Sequence, residues 1–177
     1  AAREKGRVCT LGPIIHNRHA VAHFQQMGVS VIESPQEAQP GDTVIIRSHG
    51  VSRQVYRLLE ERGVEIVDAT CPFVKRIHEI VSRAEAEGRL PIIIGTPTHP
   101  EVEGIAGWCS SCRIFDTPEK LEKWAQEPDF SPDLPVCMVC QTTSTENLWK
   151  KCGEIAKKLF TNLKIFDTIC KATEFRQ

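Results

Sequence analysis

The sequence predicts an α/β protein made of repeated small domains, each a parallel four-stranded sheet flanked by helices. Two observations carry the prediction. Short apolar runs rich in Val and Ile alternate with amphipathic stretches of helical period along the whole chain, which is the signature of βαβ units. Eight such runs would be wide for one small sheet in 177 residues, and two four-stranded layers that change over just after Cys71 accommodate them better.

In order, the expected strands fall at 8–10, 29–32, 43–46, 64–67, 90–94, 113–115, 135–139 and 163–166. Helical spacing of apolar residues places helices over 18–27, 52–61, 72–87, 101–108, 118–126 and 145–160, several opened by Ser, Thr or Pro. The one linker-like segment, 127–135 (EPDFSPDLP), reads as a surface loop. Domains are expected over 1–71 and 72–169, with 170–177 the start of a third. The chain opens at Ala1 with AAREKG, which reads like the tail of a helix, so a fragment is expected.

Composition narrows the partners. Lys and Arg number 22 against 23 Asp and Glu, which gives no field suited to nucleic acid or an anionic membrane. No apolar run approaches a bilayer span and the N-terminus lacks a signal-peptide core. The reading is cytoplasmic, where eight cysteines point to metal or catalysis before disulfides.

The organising stretch is VDATCPFVKRIH, residues 67–78. A strand breaks at Asp68 and a helix begins after Cys71 with Pro72, which suits the first helical position. Unpaired N–H groups there favour an anion, so a thiolate is favoured at Cys71. Asp68-Ala-Thr-Cys71 is echoed by Asp167-Thr-Ile-Cys170 at the end of another strand. Two cysteines from two domains could then converge.

Other polar residues follow strands as well: His16 in LGPIIHN, His49 in RSHG, His99 and Glu101 in GTPTHPEVEG, and Gln141, Thr142 and Thr143 after Cys140. Ligands of open α/β sheets bind outside the strand carboxyl ends. Thiols, imidazoles, one carboxylate and hydroxyls at such a mouth suit a metal centre beside an anion site with a proton donor. Taken singly, each residue also has a structural role available. The histidines could be loop residues bonded to backbone, Glu101 a first-turn acid, the hydroxyls helix caps, and the cysteines small buried hydrophobes.

Cys109-x-x-Cys112 and Cys137-x-x-Cys140 together resemble a four-thiolate zinc site, with 24 residues between the pairs. The second pair lies in a strand, where positions three apart face opposite ways and chelate poorly. His19 and His23 share a helix face that reads as solvated. Neither a P-loop nor a G-x-G-x-x-G is present.

LGPIIHN (11–17), IIRSHGV (45–51), DATCPFV (68–74), HPEVEG (99–104), QTT (141–143) and TICKATEFRQ (168–177) resemble the 4-hydroxy-3-methylbut-2-enyl diphosphate reductase family, also called LytB or IspH, in order and approximate spacing. The resemblance implies repeated α/β domains around a central iron–sulfur site. It also implies the last step of the methylerythritol phosphate route to isoprenoids, in which two electrons and two protons remove an allylic hydroxyl to give isopentenyl and dimethylallyl diphosphate. By resemblance, Cys71 and Cys170 are two of three thiolates on a 4Fe–4S cluster. His16, His49, His99 and Thr142 bind the allylic diphosphate, Glu101 donates the proton, and a ferredoxin- or flavodoxin-type donor supplies electrons. The family's first cluster cysteine stands in a Gly-Phe-Cys-x-Gly-Val motif upstream of LGPIIHN, and its third domain follows the segment matched by EFRQ; both are expected to lie outside this chain, so the resemblance implies that these 177 residues alone are inactive. Cys9 is not in that motif and is not a candidate ligand. The alternative is a non-catalytic zinc- or phosphate-binding module.

Overall fold

The computed structural model describes residues 6–13 and 18–170. The chain divides into two compact units, Ala1–Cys71 and Pro72–Gln177. In the first, strands β1 (Val8–Leu11), β2 (Val29–Ile32), β3 (Thr43–Ile46) and β4 (Glu65–Asp68) form one sheet in the order β2-β1-β3-β4, every pair parallel. Helices α1 (Arg18–Gln26) and α2 (Arg53–Glu61) and a 3₁₀ turn at Pro35–Glu37 connect them. Cys9, Leu11, Val44 and Ile46 alternate onto one face, where they bury against Ile32, Ala38 and Leu59.

The second unit repeats the plan. Strands β5 (Leu90–Ile94), β6 (Arg113–Phe115), β7 (Val136–Cys140) and β8 (Leu163–Ile165) pair in the order β6-β5-β7-β8, again all parallel. Its helices are α3 (Pro72–Ala86), α4 (Pro100–Ala106), α5 (Pro118–Trp124) and α6 (Glu146–Leu159). The central strands are covered on both sides, so they read as continuous apolar runs. Ile92, Ile94, Met138 and Cys140 face the α5 and α6 side with Leu121, Trp149, Cys152 and Ala156. Ile93 and Val139 face the α3 and α4 side with Ile77, Val81, Val102 and Ile105.

Helix starts follow the expected residues, with small shifts. Ser52, Thr117 and Thr145 are N-caps just outside α2, α5 and α6, their hydroxyls accepting from the N–H groups of Val55, Lys120 and Leu148. Strand β7 runs one residue further than expected, to Cys140. Helix α4 starts at Pro100 and ends at Ala106, two residues short of the expected 108. The 127–135 loop is largely exposed, with Phe130 and Leu134 turned inward against the α5/α6 core. The 3₁₀ turn was not expected: Ser34 caps it while the Glu37 side chain returns to the Ser34 N–H, a reciprocal arrangement too short to leave a periodic signal. Of the expected third segment, 170–177, only Cys170 is described.

Candidate active site

In a sheet of order 2-1-3-4 the chain runs outward from the first strand on one side and then restarts on the other. The crevice outside the carboxyl ends of the first and third strands is therefore a natural ligand site. In the first unit those ends lead into Gly12 after β1 and Arg47-Ser48-His49-Gly50 after β3. In the second they lead into Gly95 to Glu101 after β5 and Gln141 to Ser144 after β7. The two Asp-x-x-Cys segments follow β4 and β8, the fourth strand of each sheet, so the echo in the sequence marks equivalent positions in two copies of one topology.

In the first unit, Cys71 is half-buried and its N–H donates to Ser48 O at 3.0 Å, which ties it to the loop carrying His49. His49 is half-buried and Gly50 adopts φ 69° to turn that loop. Arg47 lies across Gly12, where an added Cβ would stand 2.6 Å from its Nη1. Gly12 also needs φ 68°, so glycine is required there twice over. His16 lies outside the described residues. His19 and His23 are exposed on α1, as a solvated face requires.

The second unit assembles a tighter constellation. Glu101, 2% exposed in the first turn of α4, accepts two hydrogen bonds from one residue: Thr142 N–H reaches Oε1 at 2.6 Å and the Thr142 hydroxyl reaches Oε2 at 2.8 Å. Thr142 O in turn accepts from Cys170 N–H at 2.8 Å. A carboxyl, a hydroxyl and a thiol-bearing residue from three strand ends are thus joined through Thr142. His99 is the N-cap of α4, its Nδ1 accepting from Glu101 N–H at 3.1 Å. That bond leaves Nε2 as the ring nitrogen that can donate to an anion.

Two residues given no role of their own in the sequence support these groups. Gln141 accepts from Thr96 N–H at 3.2 Å and donates to the Thr143 hydroxyl at 2.7 Å, which holds the β5 and β7 loops together. Thr168 bridges both backbone groups of Cys140, accepting from its N–H at 2.9 Å and donating to its O at 2.7 Å, and so anchors the segment that ends in Cys170. A Thr two residues before a strand-end Cys was the only available signal. Thr143 is exposed, and Ser144 donates to Ile94 O at 3.4 Å.

The eight cysteines, none in a disulfide, fall into groups. Cys9, Cys140 and Cys152 belong to the cores, and Cys137 is equally buried. Burial pushes the thiols of Cys137, Cys140 and Cys152 up to about 11 and raises Cys9 as well, so these are small hydrophobes. Cys71 and Cys170 stand at strand ends instead. The four-thiolate zinc reading fails on geometry. Cys140 faces the α5/α6 core while Cys109 and Cys112 pack on the opposite side of the sheet. Among the described residues no three His, Cys, Asp or Glu side chains gather to hold a metal. Among the same residues no helix is long and apolar enough to cross a membrane.

Two parallel four-stranded sheets flanked by helices, with thiol-, imidazole- and carboxyl-bearing residues in the loops after their strands, define a parallel α/β protein. The chain belongs to the LytB protein family, whose model matches residues 1–177. It is 42% identical over 174 residues to the 4-hydroxy-3-methylbut-2-enyl diphosphate reductase of Caldanaerobacter subterraneus subsp. tengcongensis, covering 97% of this chain and 58% of that protein. The reductase of Clostridioides difficile is 40% identical over 174 residues, covering 96% and 60%. A solved structure of (E)-4-hydroxy-3-methyl-but-2-enyl diphosphate reductase, the terminal enzyme of the non-mevalonate pathway, superposes with TM-score 0.82 at 38% identity, over 99% of this chain and 61% of that one. The Plasmodium falciparum reductase shares the fold, with TM-score 0.87 at 24% identity over 98% and 54%. The chain therefore spans about three-fifths of the length of the curated relatives it matches.

Proposed function

We propose that this chain works in reductive dehydroxylation of an allylic diphosphate, (E)-4-hydroxy-3-methylbut-2-enyl diphosphate, to isopentenyl and dimethylallyl diphosphate. The observation that carries the reading is the Glu101–Thr142–Cys170 connection, which places an acid, a hydroxyl and a thiol-bearing residue at adjoining strand ends. The donor set fits a 4Fe–4S cluster: Cys71 and Cys170 occupy equivalent strand-end positions, unlike the four core thiols, and would supply two of its thiolates. When bound, such a cluster supplies electrons and a Lewis-acidic iron for the allylic C–O bond. His99 presents its Nε2–H to the diphosphate while its Nδ1 caps α4, and His49 and His16 add imidazole donors. Glu101 protonates the leaving hydroxyl, with Thr142 fixing both carboxyl oxygens. The electrons come from a ferredoxin- or flavodoxin-type protein, and the setting is the cytoplasm.

Iron and sulfide analysis with the visible spectrum after anaerobic reconstitution tests this reading. In the full-length protein, Cys71→Ser and Cys170→Ser should each lose the brown chromophore and turnover. A variant that kept both would remove that cysteine from the ligand set, and one zinc per chain with no iron would overturn the cluster altogether.

A further inference from the structure

Cys109 and Cys112 lie at the edge of the α3/α4 core and outside the proposed active site, and they are less buried than the core cysteines. Both are half-exposed, in the turn between α4 and β6. Both pack against the same core cluster, beside Ile105 and Val139, so the two thiols share one side of one short turn. One of the two residues between them is pinned: Ser110 donates both its N–H and its hydroxyl to Glu85 Oε1, each at 2.5 Å. Cys109 Sγ sits 3.5 Å from Ala106 O, the last carbonyl of α4.

We propose that Cys109 and Cys112 form a reversible dithiol–disulfide site that exchanges with low-molecular-weight disulfides, independently of the cluster chemistry. Two half-exposed thiols at Cys-x-x-Cys spacing in a fixed turn are the arrangement that thiol–disulfide exchange needs. The roles of the two are unequal. Cys109 lies at a helix C-terminus, where carbonyl dipoles oppose a negative sulfur, and its S–H is directed at acceptors. The neighbouring Cys112, its burial and the nearby Glu85 carboxylate push its thiol up, whereas the adjacent Cys109 thiol lowers Cys112. Cys112 is therefore the attacking thiolate.

The exchange balances. Cys112 Sγ⁻ attacks a disulfide RSSR, forming Cys112–S–S–R and releasing RS⁻. Cys109 gives its proton to a thiolate or to solvent and attacks the Cys112 sulfur, expelling the second RS⁻. The net change oxidises one dithiol to one disulfide and reduces RSSR to two RSH, with two electrons and two protons passing to the small molecule. The product has no Cys109 S–H, so Ala106 O loses that donor and the turn leaving α4 is held covalently.

Trypsin isolates both cysteines, and no other, on the peptide 90–113. The protein is equilibrated with mixtures of reduced and oxidised glutathione, quenched in acid, alkylated and digested. The expected result is a 90–113 peptide that resists alkylation, weighs two hydrogen atoms less than the dithiol, and returns to the dithiol on reduction. In Cys109→Ser, Cys112 should stop as its glutathione adduct. In Cys112→Ser, Cys109 should form its adduct about tenfold more slowly or worse. Recovery of a fully alkylated dithiol at a poise that oxidises thioredoxin, or linkage of either cysteine to a third one, would overturn the site. Equal adduct rates in the two variants would overturn the assigned roles.

Discussion

Replacing Thr142 by valine removes one hydroxyl from a site where nothing else is described as serving the same carboxylate oxygen. In the native chain that hydroxyl lies 2.8 Å from Glu101 Oε2, and Glu101 is 2% exposed. A hydrogen bond to a charged group contributes about 1.5–3 kcal/mol, and a buried acceptor left without its donor loses a comparable amount. The Thr142 N–H bond to Oε1 survives the substitution, so the expected loss is about 2 kcal/mol, roughly a thirtyfold change in the unfolding constant. Thr142→Ser keeps the donor and loses one methyl group, about 0.8 kcal/mol. Urea titration followed by tryptophan fluorescence measures this well, because Trp108, Trp124 and Trp149 all lie in the second unit. In a Glu101→Gln background the valine substitution should cost about half as much, since the bond is then between neutral groups. A Thr142→Val protein as stable as Thr142→Ser, with no coupling to Glu101, would show that the contact contributes nothing.

Three further outcomes are expected. In the full-length protein, Glu101→Gln should retain diphosphate binding by calorimetry while turnover falls by about a hundredfold, because the anion contacts remain and the proton donor does not; unchanged turnover would dismiss Glu101 from the mechanism. Gly95→Ala should destabilise the second unit by about 1–3 kcal/mol, because its Cβ would stand 2.9 Å from Gln141 Cβ and Oε1 and from Val102 Cγ2; an unaltered urea midpoint would refute the close approach. Asp42 gives the acid limb of the first unit. Burial opposes its ionisation, but the Gln39 N–H and the Arg7 guanidinium at 2.9 and 2.8 Å outweigh it and hold the carboxyl below its usual value. A depressed folded value means stability present above about pH 4, the unfolded carboxyl range, and lost as pH falls through the folded value. Hydrogen exchange across the first sheet should show that loss, and Asp42→Asn should flatten it while lowering stability at pH 7.

The candidate site was legible one residue at a time and illegible as an arrangement. Position after strands marked His16, His49, Cys71, His99, Glu101, Thr142 and Cys170 as candidates, although each taken singly also has a structural role available. The bond between Glu101 and Thr142 spans 41 positions and leaves no local trace. Gln141 and Thr168 stood in the quoted motifs without a role of their own for a related reason. Each does its work through backbone groups of residues distant in sequence or otherwise unremarkable, which pattern alone cannot display. The zinc reading failed because spacing along the chain says how far apart cysteines are and only strand alternation, once the strands are packed, says which side of a sheet they face.

The sequence by itself determined the elements, their alternation and the division into two four-stranded layers, since these follow from hydrophobic period, caps and Pro or Gly breaks acting over a few residues. The tertiary structure decided the strand order 2-1-3-4 in each sheet, and with it which loops become neighbours. That order depends on where each crossover helix can bury its apolar face, a property of whole packed layers. It turns Cys71 and Cys170 from a short repeated motif into equivalent positions of two copies of one topology, and it brings Glu101 and Thr142 together.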